Sequence, residues 1–171
     1  MDAGLLVLRL ALGLAMAAHG SQKLLGRFEG PGPRGTSAFV RRLGFRPVAL
    51  WTPAVWATEV GGGLLFAAGL LDPLGTLGIA AAMLVATFAA HWGKGFFAQR
   101  GGLEVPFLYA AGAAAGAITG PGRYSLDSLF GISLPEPFTG MVGAVLVVLG
   151  VGAAFASRPR RVAAPAGQAA A

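Results

Sequence analysis

Residues 5–25 read LLVLRLALGLAMAAHGSQKLL, and this stretch decides the fold. At 1.5 Å per residue, a helix of about 20 residues crosses a hydrocarbon core of about 30 Å. The run is apolar around most of its circumference, yet it carries Arg9, His19, Gln22 and Lys23. Ionisable groups at the centre of a span cost at least about 2.5 kcal/mol each on insertion scales, so they face partners or water rather than acyl chains. At 100° per residue, Arg9, His19 and Lys23 fall within an arc of about 80°. That face is expected to point into a bundle.

The rest of the chain supplies the bundle. Further apolar blocks run over residues 49–71, 74–92, 105–119 and 138–156. Asp72-Pro73 makes a turn between the first two, because Pro cannot continue a helix interior. The 105–119 block is short for a span and calls for tilt or local thinning. Residues 93–102 form a polar, Gly-rich connection, and the Gly, Pro, Ser and Asp clusters of 120–137 read as an ordered loop. Composition agrees: 55% of the 171 residues are hydrophobic and 12% charged, against about 25% charged in soluble domains. The predicted fold is an all-α polytopic membrane bundle over residues 1–156. The tail 157–171, basic and then Ala/Pro-rich, is too poor in large apolar groups to fold by itself.

Charge position tests the topology, because Lys and Arg favour cytoplasmic loops. Arg27, Arg34, Arg41, Arg42 and Arg46 follow the first span, Lys94 and Arg100 follow the third, and Arg158, Arg160 and Arg161 follow the last. The opposite side has only Arg123. Five spans, an outside N-terminus and a cytoplasmic tail satisfy this asymmetry. The net charge of +6 is thereby accounted for by topology and the lipid bilayer, with no nucleic-acid partner. A cleavable leader is the rival for the first span, since Ala15-Met16-Ala17 resembles a cleavage site, but the segment before it lacks Lys and Arg. Residues 36–43 (TSAFVRRL) can form a short helix capped by Thr36 or Ser37, with Phe39, Val40 and Leu43 against lipid and Arg41 and Arg42 toward phosphate.

The candidate chemistry lies in the polar residues of the spans. Glu59 sits ten residues into the second span, near mid-membrane by count, where no side chain can snorkel to water. It must be protonated, paired or hydrated, and by depth either Arg9 or His19 can reach it. Lys23, His91, Lys94 and Glu104 gather near the inner boundary, where snorkelling suffices for the lysines. Gly61-Gly62-Gly63, after Glu59, permits close packing or a small cavity rather than a phosphate loop, because it lies inside a span. No metal-ligand spacing such as EXXH or HXXXH occurs, so no metal is expected. The chain has no Cys, which removes disulfide and thiolate chemistry of its own.

The ordered motifs resemble the DoxX family of small bacterial membrane proteins. The likeness runs from Arg9 and Ala18-His19-Gly20-Ser21-Gln22-Lys23-Leu24 to Glu59-Val60-Gly61-Gly62 and Gly95-Phe96-Phe97. It continues through Gly101-Gly102-Leu103-Glu104-Val105-Pro106 to Gly120-Pro121-Gly122-Arg123-Tyr124-Ser125-Leu126-Asp127, covering about residues 4–128. The resemblance implies a four-helix membrane core, with the fifth span added beyond it. Some members are associated with membrane oxidoreductase systems, and DoxD relatives form part of a thiosulfate:quinone oxidoreductase. The positions carried over are Arg9, His19, Lys23, Glu59, Glu104 and Asp127, and Gln22 and His91 join them from the reading of the spans as candidate ligand-binding or proton-site residues. The sequence departs from the family pattern at Lys94, where Asn often stands, and at Asp72-Pro73, where the turn is commonly basic. The expectation is a non-catalytic or accessory subunit of a membrane redox system. Its polar site would take quinone or another small amphipathic molecule, and its partner would be a membrane or soluble redox protein. A ligand-free scaffold, a small-solute or lipid transporter and a homo-oligomer are left open.

Overall fold

The computed structural model describes residues 2–159, and Arg160, Arg161 and the rest of the expected tail lie outside them. Among the described residues the chain is helical with no strand. Helix α1 (Asp2–Leu25) is followed by α2 (Gly32–Arg42) and α3 (Val48–Trp56). A π turn (Ala57–Gly61) then leads without a break into α4 (Gly62–Ala68), so residues 48–68 form one rod. Next come α5 (Leu74–Ala86), continued by a second π turn (Thr87–His91), α6 (Glu104–Thr119), the short α7 (Leu126–Phe130) and α8 (Phe138–Ala156). Three helices, Asp2–Leu25, Leu74–His91 and Phe138–Ala156, are long and apolar enough to cross a membrane. The rod 48–68 and α6 run alongside them.

Small residues bring these helices together. A Cβ on Gly13 of α1 would strike the backbone of Gly63 and Ala67 at 2.6 Å, and one on Gly20 would lie 2.9 Å from the Cβ of Glu59. A Cβ on Gly62 would lie 3.1 Å from the Cα of Gly78 on α5. Backbones this close gain dispersion contacts that larger side chains would prevent. The glycine run after Glu59 thus serves packing on two sides. Around it Met16, Phe66, Ile79, Ala82, Met83 and Ala113 form the central core, joining α1, the rod, α5 and α6 into a four-helix unit.

Helix α8 is a peripheral fifth helix. It packs against α5, and only Ala154 of its residues is buried. Its far end is fixed by a second cluster of Val40, Phe45 and Ala154. There the Arg158 guanidinium lies 5.4 Å from the ring centres of both Phe45 and Phe155. Most outward side chains, such as Leu14, Leu64, Phe88, Leu108, Val145 and Leu149, are exposed and apolar, the surface a bundle presents to lipid.

Two local expectations change. The rod ends at Ala68 rather than at residue 71, because Gly69 adopts a left-handed conformation (φ 60°, ψ 50°) that caps it. The short helix begins at Gly32 rather than Thr36, with Pro in its first turn, where the missing N–H costs nothing. Thr36 is not a cap. It is 1% exposed, and its hydroxyl donates to the carbonyls of Lys23 and Gly32, pinning α2 to α1. Val40 is buried in protein rather than facing lipid, and Arg42 stacks on the exposed Phe39.

Candidate functional site

The polar residues of the bundle form two separate groups. At the α2 end, Lys23 Nζ lies 2.5 Å from Glu59 Oε1, with 20% of the lysine side chain and 7% of the glutamate side chain exposed. The pair is possible because Gly20, one turn before Lys23, lets the Glu59 backbone approach α1. Glu59 itself sits in the π turn, a distortion that redirects side chains and recurs at functional sites. Its second oxygen, Oε2, is buried and has no hydrogen-bond partner.

The expected cluster of Arg9, His19 and Glu59 does not form. Counted along its own helix Glu59 is central, but it lies level with Gly20, only about 7 Å from the end of α1 at Leu25. The rod starts further out because its first turns run beside α2 rather than α1. Arg9, eleven residues before Gly20, is therefore about 16 Å away along the axis. His19, at the edge of the predicted inward arc, is exposed. It remains within electrostatic reach of Lys23, Glu59 and His91. Lys23, for which snorkelling sufficed by sequence, is the partner of Glu59.

Arg9 belongs to the opposite end. It is 2% exposed and donates from Nη2 to the carbonyl of Tyr124, while Nε and Nη1 have no partner. The space beside it exists because residue 69 is glycine, since a Cβ there would overlap Nη1. The Asp127 carboxylate accepts from the backbone N–H groups of Leu71 and Asp72, each at 2.8 Å, and the Asp127 N–H donates to Gly69 at 3.0 Å. Ser125 caps α7 by accepting from Ser128. Asp127 is thus a clamp holding the 120–131 loop on the 69–72 turn. Burial, reinforced by Asp127 and Glu136 and opposed by Arg9, pushes the Asp72 carboxyl up to about 6.

The remaining candidates hold loops. His91 Nδ1 lies 2.7 Å from the Gly101 carbonyl, and Glu104 Oε2 accepts from the Ala98 N–H at 2.8 Å, so both fasten the 93–103 connection. Gln22 donates to the carbonyl of Phe28 at 3.2 Å.

A cavity of about 420 Å³ adjoins the Lys23–Glu59 pair. The rod, α5 and α8 form its walls, with Trp51, Val55, Leu77, Val85, Leu146 and Val147 among the lining side chains. Its polar groups are Lys23, Glu59 and Thr58, and the Thr58 hydroxyl is already committed to the carbonyls of Ala54 and Val55. Phe45 and Ala154 close it at the α2 end. Sequence reading missed this cavity because it depends on how α8 leans on α5. Among the described residues no group of three His, Asp or Glu side chains is arranged to hold a metal ion.

A family model described as DoxX matches residues 4–92, just over half of the chain. The chain belongs to the DoxX family. No curated protein and no solved structure matches it. The DoxX match contains Arg9, His19, Gln22, Lys23, Glu59 and His91, hence the whole ion pair and both π turns. Glu104, Asp127 and α8 lie beyond it. The cavity is therefore composite, with its polar corner and two walls in the DoxX segment and its third wall added by α8.

Proposed function

We propose that this DoxX-family membrane protein is an accessory subunit of a membrane redox system that binds quinone or another small amphipathic molecule in the α8-walled cavity. The observation that carries this reading is one buried ion pair at the corner of an otherwise apolar cavity. A volume of about 420 Å³ lies within the range of small-molecule sites. A quinone-like ring would sit against Trp51 and Val55, with a head carbonyl accepting from the Lys23 ammonium. The unpartnered Glu59 Oε2 would accept from a hydroxyl, so oxidised and reduced heads each find a complementary group. An apolar tail would leave along the apolar lining toward lipid. With no Cys in the chain, electrons would come from a partner protein, and the chain by itself would not be the catalyst.

In this reading five segments span the plasma membrane, with the N-terminus outside. The α2 end, which holds Arg27, Arg34, Arg41, Arg42, Arg46, Lys94, Arg100 and Arg158, faces the cytoplasm. The test is binding of a short-chain quinone to the full chain in nanodiscs. Wild type should bind saturably, Glu59→Gln should bind more weakly, and Gly150→Phe should not bind. Gly150 lines the cavity, and a Cβ there meets open space, so the ring fills the site without breaking the fold. Equal binding by all three would overturn the proposal, as would no binding together with no co-purifying redox partner.

A further inference from the structure

Helix α2 offers a second site, independent of the cavity. Its inner face is fixed: Thr36 is hydrogen-bonded to α1, and Val40 packs against Phe45 and Ala154. Rigid anchoring determines what its outer face presents. Arg34, Ser37 and Arg41 recur there at helical spacing, and with Pro33 and Ala38 they line a depression of about 350 Å³. The two guanidinium groups have no carboxylate partner, since among the described residues the one ion pair is Lys23–Glu59. Arg42, which sequence spacing also aims toward phosphate, is instead drawn aside over Phe39.

We infer that Arg34, Ser37 and Arg41 form a binding site for the phosphate headgroup of an anionic phospholipid. Two planar forks and a hydroxyl suit tetrahedral oxyanions, which accept several charge-assisted hydrogen bonds at once. The surroundings select a lipid over free phosphate. Leu25 and Phe28 at the end of α1 and Phe39 on α2 are 60%, 67% and 36% exposed, giving acyl chains an apolar surface at the same end of the bundle.

The test is native mass spectrometry of the full chain titrated with phosphatidylglycerol, phosphatidylcholine or inorganic phosphate. Phosphatidylglycerol should bind about tenfold more tightly than phosphatidylcholine, as expected when charge-assisted bonds add to a shared apolar contribution. Excess inorganic phosphate should not displace it. Arg34→Gln/Arg41→Gln should abolish the preference, whereas Arg27→Gln/Arg46→Gln, an equal loss of charge, should retain it. Should the first variant fail to fold, Ser37→Glu puts a repelling carboxylate in the site and should have the same effect. Equal loss in both double variants would overturn the inference in favour of unspecific charge. Displacement by inorganic phosphate would overturn it in favour of a free-anion site.

Discussion

Replacing Lys23 by Met should damage the protein far more than replacing Glu59 by Gln, although both remove the same ion pair. Lys23→Met keeps the alkyl stem but leaves a carboxylate whose side chain is 7% exposed without its cation. Removing one partner of a buried pair costs about 3–5 kcal/mol, because the other charge remains desolvated. Glu59→Gln leaves the ammonium instead. That group is 20% exposed and lies half a turn from the end of α1 at Leu25, where a lysine stem can carry its charge to the interface. The expected cost is about 1–2 kcal/mol, mainly for an imperfectly bonded amide. The double variant contains no unpaired charge and should also lose about 1–2 kcal/mol, giving a coupling of about 4 kcal/mol across the cycle. Reversible unfolding in mixed micelles measures all four corners. Equal costs for the single variants, or a coupling below about 0.5 kcal/mol, would refute the claim that Lys23 neutralises Glu59.

At the other end, Gly69→Ala should cost about 2–3 kcal/mol, because it combines a left-handed backbone with displacement of Arg9. Gly131→Ala, also in a left-handed conformation (φ 63°, ψ 30°) but facing open space, should cost about 1 kcal/mol by the same unfolding assay. Asp127→Ala removes the acceptor of two backbone N–H groups and should cost about 2–4 kcal/mol, with faster proteolysis of the 120–131 loop. Burial pushes the folded Asp72 carboxyl up to about 6 from the ordinary 3.8, so its contribution is present below about pH 4 and is lost as pH rises through 6. With a partly exposed side chain the change is on the order of 1 kcal/mol. Asp72→Asn should therefore raise the Tm at pH 7.5 but not at pH 4, and flatten the profile between.

Hydropathy made the helices legible, because block length and the Asp72-Pro73 break are local properties. The close contacts of Gly13, Gly20, Gly62 and Gly63 were legible as a tendency, since small residues in a span have few other uses. Pairings were not. Counting residues from the start of each apolar block treats all blocks as beginning at one level, whereas the rod begins about 9 Å beyond the end of α1. That offset, created by α2, moves Glu59 from Arg9 to Lys23. Asp72 was read as a turn residue, Tyr124 as part of a loop and Gly69 as part of a span, yet all three lie around Arg9, and the signal for this is the demand of a buried guanidinium for acceptors. The π turns at Glu59 and His91 leave no mark in helical periodicity. The cavity depends on α8, which lies outside the DoxX match and whose lean follows from the Arg158 stack and the Leu77–Gly143 contact.

Trp51 lines the cavity, and the other tryptophans, Trp56 and Trp92, can be replaced by Phe to isolate its emission. Titrating this single-tryptophan protein in nanodiscs with a short-chain quinone measures occupancy directly. The account predicts saturable quenching of Trp51 that is weakened by Glu59→Gln and removed by Gly150→Phe. Quenching that rises linearly without saturation, and is unchanged in both variants, would mean that the quinone meets Trp51 only from the lipid and that the cavity is not its site.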